Sequence, residues 1–89
     1  MNLVDKSLEC WFTDTLVEMV EREWPGFEPI PGRMQNALEE AKSGECAFPV
    51  DVACSVRTGE CRVNDGRHRI MAAKKLGREK MLVVVRHVG

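Results

Sequence analysis

The sequence contains no long hydrophobic run. Its 89 residues are 44% hydrophobic and 30% charged, and no apolar stretch approaches the roughly 20 residues that a membrane-spanning helix requires. The first ten residues include Asp5, Lys6 and Glu9 and lack the apolar segment of a secretory signal. We therefore expect a cytoplasmic protein of one domain with no membrane partner, since a chain of this length closes a single hydrophobic core.

The four cysteines lack the spacing of a metal site. Cys10, Cys46, Cys54 and Cys61 match neither zinc ligands nor a C-x-x-C redox pair. We expect free, mostly buried thiols and no bound metal held by the cysteines. Internal repeats and low-complexity tracts are absent as well.

Charge is distributed unevenly along the chain. The net charge of −1 combines an acidic half, with ten acidic and four basic side chains in residues 1–45, and a basic half, with four acidic and nine basic side chains in residues 46–89. This division indicates that the C-terminal half contacts an anion, although a solvated surface explains part of it.

Hydrophobic spacing predicts the secondary structure. Residues 13–24 form an amphipathic helix with Thr13 as its N-cap, a proline-rich loop follows, and a second helix runs from Met34 to about Ser43-Gly44. Alternation predicts strands at residues 50–57 and 60–64, joined in a hairpin at Thr58-Gly59.

A third helix at residues 66–76 and a strand at residues 81–85, buried on both faces, complete the pattern. The last strand is expected to lie parallel to the second strand of the hairpin. The predicted class is α+β, a small mixed sheet of a hairpin and a β-α-β crossover, flanked by helices. Residues 1–31 supply an N-terminal helix and loop, and residues 32–89 the core.

The segment from Asn64 to Arg69 is the candidate for chemistry. It runs from a strand through Asp65-Gly66 into a helix, whose first amides have no partner within the helix and attract an anion. Gly66 allows close approach to the backbone, and Arg67 and Arg69 can bind phosphate oxygens.

A helical wheel predicts how the third helix sits. It places His68 and Arg69 on the face that packs on the sheet, with Ala72, Ala73 and Leu76. Ile70 and Lys74 are expected to turn away from that face.

A second interpretation of the same residues is structural. Asp65 or Asn64 would cap the helix, Arg69 would pair with a sheet carboxylate such as Asp51, and His68 would be a hydrogen-bonded core histidine. The residues alone do not decide between the two.

The sequence Asn-Asp-Gly-Arg-His-Arg-Ile-Met-Ala-Ala-Lys-Lys-Leu-Gly from Asn64, with its flanking strands, resembles the core of the ParB/sulfiredoxin superfamily. The resemblance covers about residues 34–86 and leaves out residues 1–31. It implies binding of CTP or ATP with Mg²⁺, because ParB-type proteins use CTP and sulfiredoxin uses ATP. Gly66, Arg67, His68 and Arg69 match the phosphate-binding box, and Asp65 and His68 are the candidate catalytic residues.

Departures from the family pattern narrow the activity. Sulfiredoxin has its catalytic cysteine where this chain has Arg67, which cannot act as a thiolate. A ParB helix-turn-helix and dimerisation domain are missing, so we do not expect DNA segregation by this chain alone. Its size suits a phage or plasmid gene. For metal-assisted phosphoryl chemistry, Asp51 and Glu45 are further candidate carboxylates.

Two other functions fit the composition. The first is a non-catalytic module whose acidic N-terminal surface contacts a basic protein or mimics nucleic acid, with Trp11, Phe12, Trp24 and Phe27 anchoring the interface or, as we favour, closing the core. The second is direct nucleic-acid binding by the basic residues of the C-terminal half. These are Arg57, Arg62, Arg67, Arg69, Lys74, Lys75, Arg78 and Lys80.

Overall fold

The computed structural model describes residues 3–42 and 49–89. In chain order the elements are β1 (Leu3–Phe12), α1 (Thr13–Glu23), α2 (Pro31–Lys42), β2 (Val50–Ser55), β3 (Cys61–Asp65), α3 (Arg67–Lys75) and β4 (Lys80–Val88). The strands form one mixed sheet in the order β1-β4-β2-β3. The α+β class and the small mixed sheet are thereby confirmed.

The neighbour of the last strand differs from the prediction. The β2–β3 hairpin is antiparallel as expected, with Gly59 in the left-handed region at φ 77°. However, β4 lies parallel to β2, the first strand of the hairpin, and not to the second. From β3 the chain passes through α3 and returns beside β2, where β4 pairs with the side of β2 that β3 does not occupy.

β1 is an element that the sequence pattern does not predict. It pairs antiparallel with β4 along its length, from Leu3 opposite Val88 to Phe12 opposite Lys80. Its residues leave the sheet directly into α1. The N-terminal 31 residues therefore contribute a strand as well as a helix and loop.

The core lies between one face of the sheet and the helices α1 and α3. Alternate residues of β2 and β4 face it and pack in one cluster with side chains of α1 and α3. Its fully buried large side chains are Leu16, Val20, Val50, Val52, Ile70, Val83 and Val85. On the other face of β4, Leu82 and Val84 are only half-buried, so the prediction of a strand buried on both faces is wrong.

The predicted rotation of α3 is partly wrong. Ala72 and Ala73 are buried as expected, but Ile70 is completely buried and Leu76 is exposed. α3 packs against α1 and α2 as well as against the sheet. Its buried face is therefore rotated toward Ile70 and away from Leu76, compared with the face that the helical wheel predicts. Lys74 is exposed as expected and pairs with Asp14 at 2.7 Å.

The predicted starts of the first two helices need correction. Thr13 is the first helical residue and not the N-cap; its N–H donates to the Glu79 carbonyl at 2.9 Å, which continues the ladder between β1 and β4. α2 begins at Pro31 and not at Met34, because the fixed φ of proline suits the first helical position. The predicted end of this helix at Ser43-Gly44 lies outside the described residues.

The expectation of free thiols is wrong for two cysteines. Cys54 and Cys61 form a disulfide, because the hairpin register places them directly opposite each other. Cys10 is free and exposed, whereas Cys46 lies outside the described residues. Among the helices that the structure describes, none is long and apolar enough to cross a membrane.

Candidate functional site

The predicted box lines a pocket of about 470 Å³. The pocket lies where the β3–α3 turn meets the segment between α1 and α2. Its lining comprises Trp24, Phe27, Glu28, Ile30, Arg33, Asn36, Ala37, Asp65, Gly66, Arg67, His68 and Arg69. All five residues from Asp65 to Arg69 are therefore brought together at one concave surface.

The N-terminus of α3 supplies the backbone donors of the site. Gly66 is the N-cap, with no hydrogen bond from a capping side chain, so the interpretation that Asp65 or Asn64 caps the helix is wrong. The first N–H to donate along the helix is that of Ile70, to the Gly66 carbonyl at 3.0 Å. The three preceding amides have no partner within the helix, and the helix dipole adds positive potential there.

Glycine is required at position 66. Its φ of 107° lies in the left-handed region, which disfavours residues with a side chain. A Cβ atom would also lie 3.2 Å from Cγ2 and 3.3 Å from Cα of Val50. Gly66 therefore lets the turn pack against the start of β2 and fixes the direction of α3.

Arg67 is held against the wall of the pocket. Its Nη2 donates to the Val63 carbonyl at 3.1 Å, and its guanidinium lies 5.1 Å from the ring centre of Trp24. Its Nε is buried and has no hydrogen-bond partner among the described atoms. The side chain thus combines an anchoring role with an unused donor.

His68 joins the box to the segment before α2. Its Nε2 accepts a hydrogen bond from the Ile30 N–H at 3.0 Å, and its ring makes an edge-to-face contact with Phe27. Partial burial, followed by the positive charge of Arg33, lowers the pKa of His68 below its ordinary value. The neutral imidazole with the proton on Nδ1 fits this contact, so the interpretation as a hydrogen-bonded histidine holds in part.

Of the candidate carboxylates, Asp65 lies at the pocket and Asp51 lies away from it. Asp65 is exposed and, with Glu28, lines the pocket. Asp51 accepts hydrogen bonds from Arg86 Nε with both oxygens, at 3.0 and 2.9 Å, and it is not part of the lining. Glu45 lies outside the described residues, and within the described part of the chain no three metal-ligating side chains cluster.

The second wall of the pocket is the part that the sequence did not predict. Arg33 adds a third cation to Arg67 and Arg69, while Trp24 and Phe27 add aromatic surface. Trp24 is 53% exposed and meets Phe27 edge to face at 5.5 Å. The only sequence signal for this wall is the pair of aromatics around Pro25-Gly26.

The aromatics divide between core and surface. Trp11 and Phe27 pack against the core, as the favoured interpretation predicts. Phe12 and Trp24 are each 53% exposed, and for these two residues that interpretation is wrong.

Comparison with known proteins gives a result at the level of structure. No family model matches the sequence, and no curated protein matches it. Two solved structures of a pNOB8-like ParB N-domain match over 100% of this chain, one of them in the C2221 crystal form. The TM-scores are 0.64 and 0.56 and the sequence identities 15% and 17%.

The match includes β1 and α1, beyond the residues 34–86 that carry the sequence resemblance. This chain spans about a third of those proteins, covering 32% and 30% of their lengths. The likeness at such low identity concerns the fold. The chain has the fold of a ParB N-domain.

Proposed function

We propose that the pocket binds the phosphates of a nucleoside triphosphate, CTP or ATP, together with Mg²⁺. The supporting observation is that residues 65–69, for which the sequence predicts anion binding, line one pocket. This pocket lies at the N-terminus of α3, where no side chain caps the helix. The volume lies within the range of roughly 300 to 1,000 Å³ typical of small-molecule sites. The choice of CTP or ATP follows from the superfamily resemblance.

Charge and shape favour phosphate on one side of the pocket. Arg33, Arg67 and Arg69 outnumber Glu28 and Asp65 in the lining. Guanidinium groups form strong, charge-assisted hydrogen bonds with phosphate oxygens. In our proposal the phosphate chain lies over the amides of Gly66 to Arg69, where the helix dipole also acts.

The aromatic wall suits the nucleoside. Trp24 and Phe27 lie on the side of the pocket formed by the segment between α1 and α2. An aromatic ring with half its surface exposed provides a stacking surface for a base. The two walls together match a ligand with one anionic and one planar end.

Hydrolysis or phosphoryl transfer would need a carboxylate beside the metal and a base beside the attacking group. Asp65 and Glu28 are carboxylates of the pocket lining, and in our proposal they would contact a Mg²⁺ ion held by the phosphates. Asp65 suits the role of base better than His68, because His68 Nε2 already accepts the Ile30 N–H.

The test is calorimetric titration with CTP, ATP, ADP and inorganic phosphate, each with and without Mg²⁺. We expect micromolar binding of a triphosphate, weakened about tenfold or more by Arg33→Ala and by Arg69→Ala. Arg62→Ala is the matched control, since Arg62 is exposed on β3 and outside the lining. Phosphate release from the same samples, compared with Asp65→Asn, distinguishes an enzyme from a binding domain.

The second candidate function is a non-catalytic module for protein or nucleic acid. Exposed acidic residues on α1, including Glu18 and Glu21, favour a basic partner. If no nucleotide binds and a basic protein copurifies with the chain, this candidate replaces the first. Direct contact of the basic half with DNA ranks behind both.

We also propose that the domain acts in the cytoplasm, where nucleotides are available. Disulfides are rare in that compartment, so the Cys54–Cys61 bond is the feature that opposes this part of the proposal. Alkylation of thiols before lysis, followed by intact mass measurement, decides the point. A reduced pair supports the cytoplasm, and an oxidised pair supports an oxidising compartment.

A further inference from the structure

The two edge strands of the sheet, β3 and β1, differ in how their outward backbone groups are occupied. On β3, the Val63 N–H donates to both carboxylate oxygens of Glu23 at 3.1 Å, and the Val63 carbonyl accepts from Arg67 at 3.1 Å. These side chains occupy edge groups that another strand could otherwise use. At the opposite edge, β1 is ten residues long and contains neither proline nor glycine.

Hydrogen bonds show which groups of β1 face outward. The Val56 N–H donates to the Val88 carbonyl at 2.9 Å, so Val88 faces β2. Because backbone groups alternate sides along a strand, Val85 faces β1, and its partner Ser7 faces β4. Leu8, the next residue, therefore directs its N–H and carbonyl to the free edge.

Two further contacts agree with this assignment. The Thr13 N–H donates to the Glu79 carbonyl, which places odd-numbered residues on the β4 side. The Lys6 N–H donates to the Asp5 carboxylate at 2.7 Å, as an outward-facing group can. The even-numbered residues 6–12 thus direct their backbone groups away from β4, and among them the Lys6 N–H is occupied by the Asp5 carboxylate.

We propose that β1 pairs antiparallel with β1 of a second copy of this chain, around a two-fold axis at Leu8. Edge hydrogen bonds must join two outward-facing, even-numbered residues, which restricts the registers. With Leu8 opposite Leu8, Lys6 faces Cys10 and Ser7 faces Glu9. No like charges then lie directly opposite each other, a condition that favours the pair.

The neighbouring registers are less favourable. An axis at Lys6 opposes two lysines, an axis at Ser7 opposes Asp5 to Glu9, and an axis at Glu9 opposes two glutamates. An axis at Cys10 avoids like charges but pairs only residues 8–12. The Leu8 register is the longest that is free of repulsion between opposite residues.

The pairing also covers exposed apolar surface. Leu8 is 63% exposed and lies opposite Val84, which is half-buried on the face of the sheet away from the core. The two-fold axis brings both Leu8 side chains together on that face of an eight-stranded sheet. The pocket at β3 and α3 is at the other edge, so nucleotide binding and dimer formation are separable.

Sedimentation analysis at the highest soluble concentration tests the pairing. We expect a dimer for the wild type and a monomer for Leu8→Lys, because this substitution places two positive charges directly opposite each other. Circular dichroism should show that the variant is folded. Val56→Lys is the matched control, because Val56 is 53% exposed and lies outside the edge; it should remain dimeric. A monomeric wild type, or a dimeric Leu8→Lys protein, overturns the proposal.

Disulfide trapping tests the register. In a Cys10→Ser, Cys46→Ser background, Leu8→Cys should give a crosslinked dimer under a mild oxidant. Lys6→Cys should crosslink only when Cys10 is retained, because residue 6 of one copy lies opposite residue 10 of the other. Residues 6 and 10 are about 13 Å apart along one strand, so the two copies of residue 6 are too far from each other to form a disulfide. A Cys10 to Cys10 crosslink in the wild type, or crosslinking of Lys6→Cys without Cys10, contradicts the Leu8 register.

Discussion

The imidazole of His68 accepts the backbone N–H of Ile30 at 3.0 Å. This bond ties the Asp65–Arg69 box, the proposed phosphate site at α3, to the segment that carries the aromatic wall, although 38 residues separate the two in sequence. It requires an unprotonated Nε2. The geometry of the pocket is therefore linked to the protonation of one histidine.

Acidification should destabilise the domain through His68. Partial burial and, secondarily, Arg33 lower its pKa in the folded state, so below the ordinary value of about 6.5 the unfolded chain takes up a proton that the folded chain resists. The stabilisation is present above pH 6.5 and is lost as the pH falls through the folded pKa.

Urea unfolding between pH 7.5 and 5.0 measures this effect. His68→Gln keeps an acceptor but does not titrate, so it should lose less stability on acidification than the wild type. Equal pH dependence of the two proteins would show that the His68–Ile30 contact does not contribute.

Replacing Gly66 by alanine should destabilise the fold by roughly 1 to 3 kcal/mol, since the residue has φ 107° and a Cβ would contact Val50. Gly59→Ala is the control, because Gly59 also has a positive φ but open space around it. The difference between the two variants in chemical denaturation reports the contact with Val50. A smaller loss at Gly66 than at Gly59 would contradict this explanation.

Glu23→Ala should cost about 1 to 3 kcal/mol of unfolding free energy, because it leaves the Val63 N–H without its charged acceptor. Glu18→Ala on the exposed side of the same helix should change stability by no more than about 0.5 kcal/mol. Equal effects of the two substitutions in urea unfolding would refute the role given to Glu23.

Reducing the Cys54–Cys61 disulfide should lower stability by about 2.5 kcal/mol, because a short loop in the unfolded chain is released. Unfolding curves with and without reductant measure the loss, and a Cys54→Ala, Cys61→Ala variant should show no response to reductant. A wild type equally stable in both conditions would contradict the prediction.

Local signals in the sequence were sufficient for the hairpin, for the three helices and for one wall of the pocket. The Asp65–Arg69 box is continuous in sequence, and the strand before it and the helix after it follow from their own spacing. The other wall depends on how α2 packs on α3, which places Arg33 beside His68. No periodicity within either helix specifies that arrangement.

β1 could not be predicted for a similar reason. Apolar and polar residues do not alternate cleanly along β1. Glu9 is exposed on the side that faces the helices, and Leu8 is exposed on the other side. Its pairing with β4 is a long-range contact. The Cys54–Cys61 bond likewise depends on the register of the hairpin, which spacing alone does not fix.

The most direct test of phosphate binding at α3 is a titration with inorganic triphosphate, followed by the amide chemical shifts of ¹⁵N-labelled protein. We predict saturable shifts concentrated at Gly66, Arg67, His68 and Arg69, with smaller changes at the aromatic wall. Shifts that are absent, or that fall on Lys75, Arg78 and Lys80 instead, would contradict the proposed site.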